Sequence, residues 1–262
     1  MTNYQTIEIE RNSHIGTIWL NRPEKRNAFN EEMIKDLIDS LFELEEDDNI
    51  RVIVFRGKGK SFCAGADLNW MRNVKDYTYK QNFRESKKLA KLFFAIYNSP
   101  KPTICAAHGA VMGGANGLLA ASDIAYATED TVFAFSEVKI GIVPATISPY
   151  IVKRIGEFPA KELMLTGRRF TADEALKYQL VNAIFTPEAL EQKIQETTQH
   201  LISSGPKAMA ICKTLLYDIQ NRFTLCESIN YTSQIIAEIR ASDEGQEGIA
   251  SFLDKRKPAW EQ

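Results

Sequence analysis

Thr103 to Thr128 reads TICAAHGAVMGGANGLLAASDIAYAT. TICAAHG and DIAYAT have the small and β-branched composition of buried strands. Between them, the pair Gly113–Gly114 opens GGANGLLAAS, a helix start. Strand, glycine turn, helix and strand in so short a span describe a parallel crossover, and hence an α/β layer. At such a turn the Gly114 N–H points outward with the positive end of a helix dipole behind it, where backbone amides usually meet an anion. No charged residue stands between His108 and Asp123, so the turn lacks the lysine of a phosphate cradle.

Outward from this stretch the same alternation continues. TIEIE and IGTIWLN read as short strands, and EEMIKDLIDSLFELEED sets Met33, Ile34, Leu37, Ile38, Leu41 and Phe42 on one helix face. RVIVFRG is a buried strand, and a second helix carries Leu89, Leu92, Phe93, Ile96 and Tyr97 until NSPKP ends it. From about Pro159 the pattern turns helical, with one brief strand at LVNAIF and helix starts at Pro187, Pro206 and Asp243. This divides the chain into an α/β core over 1–195 and a helical region over 196–262, too thin for a core of its own and suited to packing on the core or on another subunit.

Balanced charge, 32 basic against 34 acidic residues for a formal net of -2, gives no general reason to expect nucleic acid or an anionic membrane as partner. The N-terminus has no basic segment followed by an apolar run, and no stretch has the length of a membrane span, which predicts a cytoplasmic protein. Cys63, Cys105, Cys212 and Cys226 are scattered and find no metal-ligand spacing with His14, His108 and His200, so reduced, mostly buried thiols and no metal are expected. GKGKS is not a phosphate loop, because Val54 stands where the first glycine is needed, and GxSxG is absent.

Three segments remain to be read together: SFCAGADLNWM (Ser61 to Met71), the glycine turn, and FAFSEVKIGIVPATISPY (Phe133 to Tyr150). Small residues at Ala64, Gly65 and Ala66 let backbone approach a ligand, and two N–H groups converging on one oxygen make an oxyanion hole. With NRPEKRNAF, TGRRFTADEALKYQLVNAIF and EGIASFLDKRKPAW, these segments resemble the crotonase (enoyl-CoA hydratase/isomerase) superfamily along nearly the whole chain, closest in motif to its bacterial methylglutaconyl-CoA hydratase branch. The resemblance implies a spiral of stacked ββα units followed by a helical trimerisation region, and assembly as a homo-trimer or a hexamer (dimer of trimers). It implies a thioester enolate held by the N–H groups of Ala66 and Gly114, with Glu137 as acid/base. Coenzyme A, arriving as part of the substrate and not as a separate cofactor, would lie against Lys25, Arg26, Ala28, Ala64, Ala66, Asp67, Leu68 and Gly114, with Phe252 and Lys255 reaching the nucleotide from a neighbouring subunit.

A second glutamate of the family falls on Gly117 and is therefore missing here. One carboxylate suits hydration of a branched enoyl-CoA such as 3-methylglutaconyl-CoA, from leucine degradation, or a Δ3,Δ2-enoyl-CoA isomerisation; a non-catalytic acyl-CoA- or RNA-binding scaffold is a third reading. Phe133, Phe135 and Ile140 should desolvate Glu137 and raise its pKa. Ser148, Tyr150 and Lys153 are candidates for an acyl carboxylate, and Asn116 either holds water or serves as a cap or core residue.

Overall fold

The computed structural model describes residues 4–261. The chain begins with a hairpin, β1 (Ile7–Asn12) and β2 (Ile15–Leu20), followed by α1 (Glu31–Glu46), β3 (Val52–Gly57), α2 (Leu68–Val74) and α3 (Tyr79–Asn98). The opening stretch gives β4 (Thr103–Ala107), β5 (Ala110–Met112), α4 (Ala115–Ala121) and β6 (Ile124–Thr128). Then come β7 (Val132–Ala134), α5 (Ser148–Ile155), α6 (Glu157–Thr166), β8 (Arg169–Thr171), α7 (Ala172–Lys177) and β9 (Ala183–Phe185). Four long helices end the chain: α8 (Pro187–Ile202), α9 (Pro206–Asn221), α10 (Leu225–Ala241) and α11 (Asp243–Leu253).

The larger sheet runs β1-β2-β3-β4-β6-β9, parallel after the first hairpin, and a smaller one runs β5-β7-β8. Two windings, β4-β5-α4 and β6-β7-α5, each add a strand to the large sheet, a short strand to the small one, and a helix, which is the unit of the expected ββα spiral. The strand β3 shows how one sequence serves two faces. Ile53 and Phe55 enter the main apolar core while Val52 and Val54 face the other way, into a cluster with Leu190 and Ile194 of α8.

Several expectations change. β5, β7 and β8 were not foreseen; each has three residues, too few for a period-2 pattern to declare itself. On α1 the buried stripe is Met33, Ile34, Leu37, Leu41 and Leu44, and Phe42, assigned to that face, is half exposed. The line drawn at 195 falls inside α8, whose Leu201 and Ile202 still pack with the sheet's second cluster. Cys63 and Cys105 are buried, and burial pushes the Cys63 thiol up to about 12; Cys212 and Cys226 are exposed, so burial is the rule for only half of the thiols.

The helices from α9 onward pack largely on one another, and leave Leu225, Ile229, Phe252 and Leu253 open. Among the described residues no helix is long and apolar enough to cross a membrane.

Candidate active site

The loop after β3 is held from two sides. Phe29 N–H donates to Gly65 O at 2.7 Å and Asp67 N–H donates to Phe29 O at 2.8 Å, an isolated parallel bridge between Phe29 and Ala66. In such a bridge the central residue's own N–H and C=O point away from the partner. On the other side Cys63 is bridged to Val111, by Cys63 N–H to Ala110 O (3.0 Å) and Met112 N–H to Cys63 O (3.1 Å). Three residues beyond that bridge the two chains reach Ala66 and Gly114. Neither N–H finds an acceptor among the described residues, and the Phe29 ring lies below Gly114. Ala66 is exposed and Gly114 half-buried, so both amides can meet a ligand.

Glu137 arrives on a turn of 3₁₀ helix, Ser136–Ile140, that follows β7. Gly113 N–H donates to Ala134 O at 2.9 Å, which clamps the glycine turn to the strand that carries Glu137. The carboxylate then lies over Gly113: a Cβ placed there would stand 3.1 Å from Glu137 Oε1. Gly113 also has φ +52, so both its conformation and this contact favour glycine. Glu137 Oε2 is buried with no hydrogen-bond partner, and burial raises the carboxyl above its ordinary pKa, with a bond to its own backbone opposing the shift. The expected desolvation is present, although Ile140 contributes little to it, being more than half exposed, while Phe133 and Phe135 are buried.

Asn116 has a structural part. Fully buried, its Nδ2 lies within donating distance of Val111 O (3.3 Å), Gly113 O (3.0 Å) and Ala134 O (3.1 Å). It therefore cross-links β5, the glycine turn and β7, and its amide N–H groups face protein carbonyls and not the reaction side. At Gly117 the position of the missing glutamate is filled: a Cβ there would stand 2.5 Å from Phe93 Cζ and 2.7 Å from Ile147 Cγ2.

The proposed acyl-carboxylate ligands are not gathered around Glu137. The Ser148 hydroxyl donates to Ala145 O, and Tyr150 and Lys153 line a separate cavity against α3 and α9. Burial and the neighbouring Tyr97 and Tyr217 push the Tyr150 phenol up to about 12.

Around the nucleotide end, Lys25 and Arg26 are exposed, and Ala64 N–H donates to Arg26 O at 2.9 Å, so the two loops that were to flank coenzyme A are joined. Ala28 is buried, Ala64 half-buried and Leu68 exposed. The Asp67 carboxylate is not free for a ligand: it accepts from Asn69 N–H and Trp70 N–H at the head of α2 and pairs with Arg22 at 3.0 Å. Its hydrogen bonds to these groups hold its carboxyl below its ordinary range, against the opposing effect of burial. Asn27, not singled out from sequence, is fully buried; it accepts from Arg22 N–H and donates to Lys58 O and Ser61 O, fixing the loop that leads to Ala66.

Among the described residues no hydrogen bond or ion pair ties Lys255 to this site, and Phe252 is exposed. Beyond α11, Trp260 O accepts from Arg51, just before the N-terminal end of β3, while the oxyanion loop leaves the opposite end of that strand, roughly 20 Å away at about 3.3 Å per residue.

The family profile described as enoyl-CoA hydratase/isomerase matches residues 10–262. The chain belongs to that family, within the crotonase superfamily, and is an enzyme of the enoyl-CoA hydratase/isomerase kind. A crystal structure of an enoyl-CoA hydratase from Shewanella pealeana superposes with TM-score 0.95 at 38% identity, covering 98% of this chain and 96% of that one. A short-chain-enoyl-CoA hydratase of Clostridium acetobutylicum is 28% identical over 96% of this chain and 95% of its own length. A peroxisomal Delta(3,5)-Delta(2,4)-dienoyl-CoA isomerase of Arabidopsis thaliana is 30% identical over 98% of both.

Proposed function

We propose that the chain hydrates a branched, short enoyl-CoA such as 3-methylglutaconyl-CoA through one carboxylate. The observation that carries this is the Glu137 carboxylate, with a buried and unpartnered Oε2, lying over Gly113 beside the free N–H of Gly114. The thioester oxygen accepts from Ala66 N–H and Gly114 N–H. Glu137 takes a proton from water as the water oxygen bonds to C3, and the electron pair of the C2–C3 double bond moves into the enolate. The same carboxyl then returns the proton to C2, so one group serves as base and acid. Its raised pKa suits both halves of that cycle. Beside this turn, Gly117 packs under Phe93 and Ile147, an apolar wall in keeping with a methyl-bearing carbon.

An isomerisation is the second reading, supported by the dienoyl-CoA isomerase among the relatives: Glu137 would remove a proton at C2 and return it at C4 through a dienolate. Under either reading the open faces of the C-terminal helices fit a trimer or hexamer, in which a neighbour's Phe252 and Lys255 would reach the nucleotide.

The test offers 3-methylglutaconyl-CoA, crotonyl-CoA and 3-hexenoyl-CoA and follows enoyl-thioester absorbance. Loss with the branched thioester is expected, and gain with the 3-enoyl substrate alone would overturn hydration in favour of isomerisation. Glu137→Gln should lower kcat by about 10²-fold or more; near-normal turnover would remove Glu137 from the mechanism.

A further inference from the structure

The helix α4 connects two spaces. Gly114 at its head offers the free amide, and Ala120 and Ala121 at its tail line a cavity of about 530 Å³ between α3, α5 and α9. At 1.5 Å per residue the two ends lie about 10 Å apart. The cavity has the volume of a small-molecule pocket, typically about 300–1,000 Å³. Its lining is mixed: Tyr97, Tyr150 and Leu216 give apolar surface on the side of Phe93, and Asp123, Arg154 and Lys213 are among the charged groups on the other walls.

Between these spaces stands Phe93, fully buried. On the reaction side its ring tip occupies the place of a Gly117 side chain, one turn along α4 from Gly113 and the Glu137 carboxylate. On the cavity side the same ring meets the edge of Tyr150, with centroids 6.2 Å apart and planes at 68°. Tyr150 packs in turn on Tyr97 at 5.4 Å, and both line the cavity.

We infer that Phe93 is a specificity-determining gate that closes the acyl site off from this cavity and so limits acyl length. The inference rests on the acyl-CoA reading above and deepens it. A short or branched acyl group ends before the ring; a longer tail must displace a fully packed aromatic side chain, which a close-packed interior resists. Without the ring, the space at Gly117 and the cavity become continuous.

The test compares kcat/KM for crotonyl-CoA and decenoyl-CoA. The wild-type chain should favour crotonyl-CoA by about 100-fold or more. Phe93→Ala should reduce that preference by at least about tenfold. Because deleting a buried ring can unfold a chain, Phe93→Leu carries the same comparison with a milder change. A wild-type chain that accepts both thioesters equally, or folded Phe93 variants with the wild-type ratio, would overturn the gate. Failure of the acyl-CoA reading looks different: neither of these thioesters nor 3-methylglutaconyl-CoA is turned over by the wild type. The gate is then read from calorimetric binding of butyryl-CoA and decanoyl-CoA to the same variants, where an unchanged ratio again overturns it.

Discussion

Gly113 and Gly117 stand one turn apart at the head of α4, and the space left by each missing side chain is put to opposite use. Over Gly113 lies a carboxylate with one oxygen unpartnered; over Gly117 lie the Phe93 ring and a methyl of Ile147. The first contact keeps a charged group dehydrated and reactive, and the second fills the vacancy with apolar side chains. The difference teaches that a glycine-rich turn is read by what fills its vacancies. At Gly113 a side chain would disturb chemistry; at Gly117 it would disturb the fold.

Substitutions can pull these two roles apart. The larger stability effect is expected at Gly117→Ala, whose added methyl overlaps both Phe93 and Ile147. Overpacking of this kind costs about 1–3 kcal/mol, and in a chain of this size each kcal/mol lowers Tm by about 2–4 °C. Calorimetry of Gly117→Ala alone and with Phe93→Leu checks the cause: equal losses in both backgrounds would mean that the ring is not what fills the site. Gly113→Ala should cost less stability, about 1–2 kcal/mol for an alanine held in the left-handed region. Its activity should fall further than its Tm suggests, because the methyl crowds Glu137 Oε1 at 3.1 Å and the rate is sensitive to small displacements of a catalytic group. A kcat that follows Tm alone, measured where each variant stays folded, would deny the contact its catalytic meaning.

Much of this arrangement could be read from the chain. The crossover from Thr103 to Thr128, the outward Gly114 amide, the small residues at Ala64 to Ala66 and the flanked Glu137 are local patterns, and local patterns are what sequence records. What stayed hidden depends on partners distant in sequence. Nothing near Gly117 announces that Phe93, on α3, occupies its vacancy. Nothing near Asn116 shows three carbonyls from β5, the glycine turn and the end of β7 gathering on one amide. Tyr150 and Lys153 follow Glu137 closely in the chain, yet α5 turns them toward α3 and α9. Asp67 sits at a motif position for coenzyme A, while its carboxylate is spent on Arg22 and the head of α2.

The smallest expected effect separates the two glycine environments by sign. At Gly117 the overlying groups are neutral, so their contribution to stability should not vary with pH. Over Gly113 the Glu137 carboxyl has its pKa raised by burial, so folding favours the protonated form. The stability tied to that preference is fully present below the ordinary carboxylate pKa, and is lost as pH rises through the raised folded value. Glu137→Gln removes the charge while keeping the shape. Its Tm should therefore match the wild type at the acid end, rise above it across that window, and hold a constant lead at neutral pH. Turnover should run the other way, since the wild type gains activity as Glu137 loses its proton and the glutamine variant has none to lose. A Tm difference that is flat across the window, or that favours the wild type at neutral pH, would mean that other contacts balance the buried charge, and the contrast between the two glycines would then rest on packing alone.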